Sequence, residues 1–453
     1  MADKKRTVDM TKGKPGRLIL TFALPLFIGN IFQMLYNMVD AVVVGRFVGP
    51  QALAAVGGAS SSYNLTLALV LGFTNGGSVL LAQAFGNGDR VKIRKCYYSA
   101  FILIMVSAVF LSGIGIFIAR PLLEILHTPA DVIADSTVYL RWMAAGILAT
   151  ALYNSMAAFL RAVGNSRTPL IALVVASCTN IVLDLLFVIV FHMGVMGVAV
   201  ATVLSQALSG IYCLIYVNLN IPELKIRLKE IEFDPAVAKE TLRIGLPAAL
   251  STVVVTMSVM FIQRAVNGYG STVMAAYTTA NKSENVCFAL SYATGMATGV
   301  FCGQNMGAGR LDRVREGLFT GIKISLLYHL VMAVVLFSCG KYIVGLFTTD
   351  PEVISIGSGI VRITACFAPV LGILFIFQHF LRSVSDVRPT IYMSGAEIFS
   401  RGFLPYVLAS RFGYYGIWWA TPIGWSLSLL IGILRYRSGK WKAYVKSEQT
   451  EAA

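Results

Sequence analysis

Charged side chains are scarce in this sequence of 453 residues. Asp, Glu, Lys and Arg make up 13% of the chain, against about 25% in an ordinary soluble domain. Apolar residues make up 57% and the mean hydropathy is +0.73. Apolar segments of about 20 residues, each long enough to cross a bilayer, recur along the chain. The scarcity of charge argues against a soluble globular protein and predicts a protein with many membrane spans.

Motifs for disulfide, metal or nucleotide chemistry are absent as well. The seven cysteines are scattered and odd in number, and no Cys-x-x-Cys pair occurs, which argues against a disulfide framework or a zinc site. No Walker A motif occurs, and no loop is long enough for a nucleotide-binding domain. We therefore expect no cofactor and no use of ATP within this chain.

The apolar segments predict an all-α membrane protein with twelve transmembrane helices. The predicted spans are 18–46, 53–82, 96–119, 133–158, 168–190, 194–218, 243–266, 275–302, 318–340, 355–380, 390–410 and 414–435. Most of the 37 Lys and Arg residues fall in the tails and in alternate loops, which are cytoplasmic by the positive-inside rule. A multi-pass protein of the plasma membrane with both termini cytoplasmic is predicted, and the net charge of +15 requires no nucleic acid partner.

The sequence repeats itself with an offset of about 221 residues. Leu-Arg-Ala-Val at 160–163 returns as Leu-Arg-Ser-Val at 381–384, Arg141 returns as Arg362, and Pro25 returns as Pro247. Six spans per half is an even number, so the two six-helix bundles share one orientation. The predicted organisation is an N-tail (1–17), an N-lobe (18–218), a cytoplasmic linker (219–240), a C-lobe (241–435) and a C-tail (436–453).

Few acidic residues lie deep inside the predicted spans: Asp40, Asp184, Glu284 and Glu397. A carboxylate at that depth is expensive and marks an ion or substrate path by default. On a helix, Asp40 shares one face with polar residues at i−7, i−4 and i−3, namely Gln33, Tyr36 and Asn37, and Asp184 shares a face with Asn180. Such an oxygen-rich cluster suits either Na⁺ or H⁺.

Structural interpretations of these acids remain open. Asp40 could hydrogen-bond a neighbouring helix without binding an ion. Glu397 and Arg401 are spaced i, i+4 and could form a buried structural pair.

Several motifs together resemble the MATE family of multidrug and toxic compound extrusion transporters, and within it the DinF-like prokaryotic branch. They are Pro25, Asn37, Val39-Asp40, Ala-Leu-Ala-Ala-Val-Gly at 52–57, Arg-Ala-Val-Gly-Asn-Ser-Arg-Thr-Pro at 161–169, and Gly-Gln-Asn-Met-Gly-Ala-Gly at 303–309. The resemblance implies a V-shaped pair of lobes that exports organic cations or other amphipathic small molecules against entry of Na⁺ or H⁺. One chain already holds both lobes, so a monomer in the lipid bilayer is expected.

The resemblance also assigns roles to individual residues. Asp40 is the expected central acid of an N-lobe cation site, completed by Asn180, Asp184 and Thr202, which could hold Na⁺, with Gln33, Tyr36 and Tyr139 in its hydrogen-bond network. Asn37, Asn154, Glu284 and Glu397 are candidates for substrate contact, and Pro25 for a hinge. The seventh and tenth spans lack the deep carboxylates of the NorM-like branch, which favours ion coupling in the N-lobe.

Two other functions are alternatives to drug export. A flippase for lipids or lipid-linked saccharides, from the same superfamily, predicts a strongly cationic cleft, whereas the deep residues here are mainly acidic. A membrane-embedded transferase usually needs a sizeable loop or domain for its donor substrate, and the sequence has none. We therefore expect a transporter and not an enzyme.

Overall fold

The computed structural model describes residues 7–227 and 230–444, with only the backbone described at 285–287. These ranges contain no β-strand. Their α-helices are α1 (Pro15–Val43), α2 (Pro50–Asn87), α3 (Arg90–Ile125), α4 (Ile133–Ala145), α5 (Ile147–Ala162), α6 (Arg167–Leu185), α7 (Gly194–Asn220), α8 (Pro235–Asn267), α9 (Ser271–Gly307), α10 (Leu311–Gly345), α11 (Pro351–Ser383), α12 (Arg388–Phe412) and α13 (Tyr414–Arg437). Residues 1–6 of the predicted N-tail and residues 445–453 of the predicted C-tail lie outside the described residues.

Each of the twelve predicted spans corresponds to a helix or to a bent pair of helices. In the described part of the chain, nine helices are long and apolar enough to cross a membrane, and two bent pairs bring the number to eleven. One pair is α4 with α5, bent by 46°, and the other is α9, bent by 44° between Ser271–Glu284 and Phe288–Gly307. The remaining span, α12, has 25 residues but carries several charges, which lower its hydropathy.

The outer surface of the helices is largely apolar. Large side chains such as Phe110, Phe117 and Leu327 are exposed, Phe117 to 82%. A surface of this kind is costly in water but matches the hydrocarbon of a bilayer. Exposed apolar side chains therefore agree with the membrane location predicted from hydropathy.

The chain divides into two compact units, and the division does not follow the predicted lobes at every point. The first unit holds Ile28–Ala249 and the N-terminal segment up to Asp9, and the second holds Met10–Phe27 and the chain from Leu250 onward. The linker expected at 219–240 thus belongs to the first unit. The chain passes from one unit to the other shortly after each of the repeated prolines, Pro25 and Pro247. The start of α1 therefore belongs to the second unit, and the start of α8 belongs to the first.

Packing explains why the start of α1 belongs to the second unit. Ile19 and Phe22 are buried in the same apolar core as Phe301 of α9 and Leu318 of α10. The preceding segment is held by hydrogen bonds. The amide of Met10 donates to Gln304 Oε1 (2.8 Å), and the carbonyl oxygen of Met10 accepts from Asn305 Nδ2 (3.1 Å). A hydropathy profile does not predict such contacts between distant parts of the chain.

Glycines explain the corresponding exchange in the first unit. Gly72 and Gly76 of α2 face Thr241 and Gly245 near the start of α8, and a Cβ atom built on Gly76 would overlap the carbonyl oxygen of Thr241. Small residues allow two helix backbones to approach closely, which is a common way of associating helices in membranes. The start of α8 therefore packs on α2.

Asp89 caps the first turn of α3. Its Oδ1 accepts hydrogen bonds from the amides of Val91 (2.8 Å) and Lys92 (3.2 Å). We expect Asp89→Ala to lower the free energy of unfolding by about 1 kcal/mol, because these amides lose their acceptor. Thermal unfolding in detergent measures the change. Asp89→Ser, which keeps a capping oxygen, should recover most of the loss, and equal stability of the alanine variant and wild type would contradict the assignment.

Candidate functional site

Two acidic residues on different helices meet inside the first unit. Asp40 lies on α1 and Asp184 on α6, and their carboxyl groups are within hydrogen-bonding reach of each other. Asp184 is fully buried. The Oδ1 atoms of both residues are buried without a hydrogen-bond partner. Because two carboxylates repel when they are close in a dry site, a proton or a cation bound by this pair would lower its electrostatic energy.

Polar side chains from neighbouring helices surround the acid pair. Tyr36 and Thr202 share a hydrogen bond of 3.3 Å between their hydroxyl oxygens. With its amide oriented to satisfy both neighbours, Asn180 donates to Asp184 Oδ2 at 2.9 Å and accepts from the amide of Thr202 at 3.3 Å. Asn180 therefore positions Asp184, and the hydroxyls of Tyr36 and Thr202 supply further oxygen atoms near the carboxyl groups.

Both acid-bearing helices change their winding just beyond the acids. A π-helical turn at Val44–Val48 continues α1, and another at Leu186–Val190 continues α6. Each is closed by a hydrogen bond of 3.1 Å, from Gly49 N to Val44 O and from Phe191 N to Leu186 O. Each π turn forms the C-terminal end of its helix, so the widened winding begins within about one turn of the acid.

A cavity of about 470 Å³ opens beside the acid pair within the first unit. Its polar lining residues are Gln33, Tyr36, Asn37, Asp40, Ser60, Tyr63, Asn64, Tyr139, Thr150, Tyr153, Asn154, Thr202 and Gln206. No Lys, Arg or His lines it among the described residues. A cavity of this size with an acidic wall is suited to a cationic or neutral small molecule.

The structure places most of the predicted residues in or beside this cavity. Asn180 and Asp184 lie behind its wall, fully buried. Gln33 lines the cavity, but its Nε2 donates to Asn37 Oδ1 at 3.4 Å and not to a carboxylate. Asn154 also lines it, and its Nδ2 is held by the carbonyl of Thr150 at 2.8 Å.

The two remaining substrate candidates, Glu284 and Glu397, line a different cavity of about 320 Å³ within the second unit. Glu397 forms a buried pair with Arg401, with 3.8 Å between Oε2 and Nη1. The structural pair suggested by their spacing is therefore present, and the same pair also lines a cavity. Pro25, the predicted hinge residue, lies in the interior of α1.

Some lining residues were not found by the sequence analysis. Tyr63 and Thr150 share a hydrogen bond of 3.1 Å across the cavity wall, and only tertiary contacts pair them. Gln206 has a buried Oε1 atom without a hydrogen-bond partner. Its spacing of four residues from Thr202 puts both on one face of α7 and is a sequence signal that could have identified it.

Comparisons with known proteins point to one family. A model of the MatE family matches residues 25–186 and 247–407, one segment in each half of the repeat. The "Probable multidrug resistance protein YpnP" of Bacillus subtilis is 29% identical over 445 residues, which cover 97% of this chain and 98% of the relative. The corresponding NorM protein of Thermotoga maritima is 24% identical, covering 94% and 92%.

Solved structures agree in fold. A MOP superfamily transporter from Pyrococcus furiosus has a TM-score of 0.89 at 21% identity, covering 98% of this chain and 99% of the other. A MATE protein in its straight conformation has a TM-score of 0.90 at 22% identity, covering 98% and 100%. Because the family model covers well over half of the chain, and the fold agrees over nearly its whole length, this multi-pass membrane protein belongs to the MATE family of transporters.

Proposed function

We propose that this protein exports organic cations or other amphipathic compounds in exchange for an entering H⁺ or Na⁺. The observation that carries the proposal is the buried pair of Asp40 and Asp184, whose unpartnered oxygens lie beside a cavity without basic lining residues. The relatives named as multidrug resistance proteins support the substrate class. Transport by alternating access would then use the free energy of an ion gradient.

Occupation of the acid pair is the proposed coupling step. A proton or Na⁺ at Asp40 and Asp184 removes repulsion between the two carboxylates and lowers the negative charge of the cavity wall. A ligand shifts an equilibrium between conformations only by its difference in affinity for them. The entering ion and a bound organic cation are therefore expected to favour different conformations, so that binding of the ion releases the substrate.

Bending of α1 is the proposed mechanical response. Pro25 lacks an amide hydrogen, so the helix is missing one backbone hydrogen bond in its interior. Asp40 lies on the same helix, and the chain passes from the second unit to the first shortly after Pro25. A change in charge at Asp40 can thus alter the packing of α1 in the first unit, with the strain absorbed at the proline.

Efflux from proteoliposomes under separate ion gradients tests the proposal. The purified protein is reconstituted and loaded with a fluorescent organic cation, and a Na⁺ gradient or a pH gradient is imposed at zero membrane potential. We expect one gradient to accelerate efflux and an ionophore for that ion to abolish the acceleration. Efflux that is identical under both gradients and without any gradient would overturn exchange transport.

A flippase for lipid-linked saccharides is the less favoured function. A pyrophosphate group needs basic partners, and the described lining of the cavity in the first unit includes none. In the second unit, Arg401 is already paired with Glu397. These arrangements favour a cationic or neutral substrate over an anionic lipid headgroup.

We also propose that both termini are cytoplasmic in the plasma membrane. Support comes from the distribution of Lys and Arg, which concentrate in the tails and in alternate loops. Fusions at the C-terminus test the orientation. A green fluorescent protein should be fluorescent there, and an alkaline phosphatase, which folds only outside the cytoplasm, should be inactive. The opposite pair of results would reverse the topology.

A further inference from the structure

Two basic side chains flank one aromatic ring on the exposed surface of the second unit. They are Lys341 of α10 and Arg362 of α11. The two helices meet at Gly340, where a Cβ atom would lie 3.5 Å from Val361 Cγ1. The guanidinium carbon of Arg362 lies 5.6 Å from the centroid of the Phe337 ring. Lys341 follows Phe337 by four residues and therefore shares its face of α10. We call these three residues the basic patch.

The surroundings of the basic patch are those of a membrane interface. Phe337 is 52% exposed, and further along α10 the exposed fractions of Tyr342 and Leu346 are 79% and 82%. Helix α10 ends at Gly345, one turn beyond Lys341. Exposed tyrosines near the end of a membrane helix mark the level of the lipid headgroups. The charges of the patch therefore lie within reach of the phosphates of one leaflet.

The basic patch has no acidic partner within the protein. Among the described residues, no carboxylate lies within ion-pair distance of Lys341 or Arg362. The proposed topology puts both residues on the extracytoplasmic side, where the positive-inside rule disfavours basic residues. Two neighbouring cations repel. An anion bound between them would offset this repulsion.

The repeat of about 221 residues provides a comparison within the chain. It places a basic pair at the same position in each half: Arg120 with Arg141, and Lys341 with Arg362. In the first unit, Arg120 Nε donates to Glu124 Oε1 at 2.9 Å. The residue that corresponds to Glu124 in the second unit is Gly345, which has no side chain. The first unit thus neutralises one charge of its pair internally, and the second unit does not.

We propose that the basic patch binds the phosphate of an anionic phospholipid, whose acyl chains lie against the apolar surface of α10. A guanidinium group binds phosphate with two hydrogen bonds and an ammonium group binds it as a point charge. Contact with the Phe337 ring holds the guanidinium group of Arg362 in place. The occupant is a lipid and not a free anion, because large exposed apolar side chains surround the charges.

The charge of the patch also predicts which headgroup it prefers. Phosphatidylglycerol carries a net negative charge, whereas phosphatidylcholine carries the same phosphate together with a cationic group that the patch repels. The proposal goes beyond drug export and does not depend on it. Only the assignment to the outer leaflet rests on the proposed orientation of the termini.

Photo-crosslinking in liposomes tests the assignment at the patch itself. The photoreactive residue p-benzoylphenylalanine replaces Ser338, which is exposed and lies three residues before Lys341 on the same face of α10. The purified protein is reconstituted into equal amounts of phosphatidylglycerol and phosphatidylcholine with identical acyl chains. Mass spectrometry after illumination compares the two lipid adducts. We expect adducts of phosphatidylglycerol to exceed those of phosphatidylcholine about fivefold or more.

Two double variants separate the charge of the patch from its shape. Lys341→Gln with Arg362→Gln should remove the excess of phosphatidylglycerol adducts, because no cation then faces the headgroup. Lys341→Arg with Arg362→Lys exchanges the two basic groups and keeps both charges, so it should retain most of the excess. Circular dichroism and thermal unfolding verify that each variant is folded.

The first unit supplies the matched control. The same probe is placed at Phe117, which corresponds to Ser338 in the repeat and is 82% exposed. Its adducts should show less preference for phosphatidylglycerol, because Glu124 neutralises Arg120. Glu124→Gln should raise that preference at least twofold, about the effect of one additional basic group near the lipid surface. Misfolding does not explain a gain of this kind.

Three results would overturn the proposal. One is an equal yield of the two adducts at Ser338 in the otherwise unchanged protein. Another is an excess of phosphatidylglycerol that persists in folded Lys341→Gln with Arg362→Gln. The third is a crosslink to a second copy of the chain in place of lipid, which would make the patch a contact between copies. Because the adducts form without any gradient, a failure of exchange transport would leave these results unchanged.

Discussion

Asp40→Asn should reduce gradient-driven export of a cationic dye to the rate seen without a gradient. The amide cannot take up a proton and is a poorer ligand for Na⁺ than a carboxylate, so the acid pair with Asp184 loses its ion-dependent change in charge. The volume of the side chain is unchanged, and the protein should still fold. Efflux from proteoliposomes, under the gradient to which wild type responds, measures the effect.

Asp131→Asn is the control for this experiment, because Asp131 is exposed in the loop before α4 and should leave export unchanged. Asp184→Asn should match Asp40→Asn, and the double variant should be no worse than either single one, since both residues act in one pair. Export by Asp40→Asn at the wild-type rate would remove the acid pair from the mechanism.

Arg435→Ala should strongly destabilise the second unit. Arg435 Nε donates to Asp386 Oδ2 at 2.6 Å, and one terminal nitrogen of its guanidinium donates to Oδ1 at 2.9 Å. Asp386 is fully buried, so the substitution leaves a buried carboxylate without its cation. We expect a loss of about 3–5 kcal/mol in the free energy of unfolding, visible as a lower unfolding temperature in detergent.

Arg437→Ala removes an exposed arginine of the same helix and should have little effect. Replacing both members of the pair with apolar residues, Asp386→Leu with Arg435→Met, should restore much of the stability, because no uncompensated charge remains. If Arg435→Ala unfolds at the wild-type temperature, the pair does not contribute to stability.

The spans and the repeat were predictable because both depend on the residues within each segment and not on contacts between distant segments. Hydropathy depends on the residues of each segment alone, and in lipid each apolar segment must satisfy its own backbone as a helix. The predicted span 194–218, for example, corresponds to α7 at Gly194–Asn220. The exception, α12, is less apolar because it carries Glu397 and Arg401, which line a cavity.

The candidate site was predictable in part. Asp40 and Asp184 are conspicuous because burying an acid deep in a membrane span costs free energy and usually indicates a functional role. The resemblance to MATE transporters placed the two acids in one site. The division of polar residues between two cavities was not predictable. Asn37 and Asn154 line one cavity and Glu284 and Glu397 another, because helix packing decides which faces meet.

By itself, the sequence determined that the chain is an α-helical membrane protein built from two related halves, with a few acids deep in its spans. Tertiary structure alone decided that the starts of α1 and α8 change units, and that Asp386, which lies between two predicted spans, is buried against Arg435. The physical reason is that hydropathy is a property of single segments, whereas the cost of a buried charge depends on the side chains that other segments bring to it.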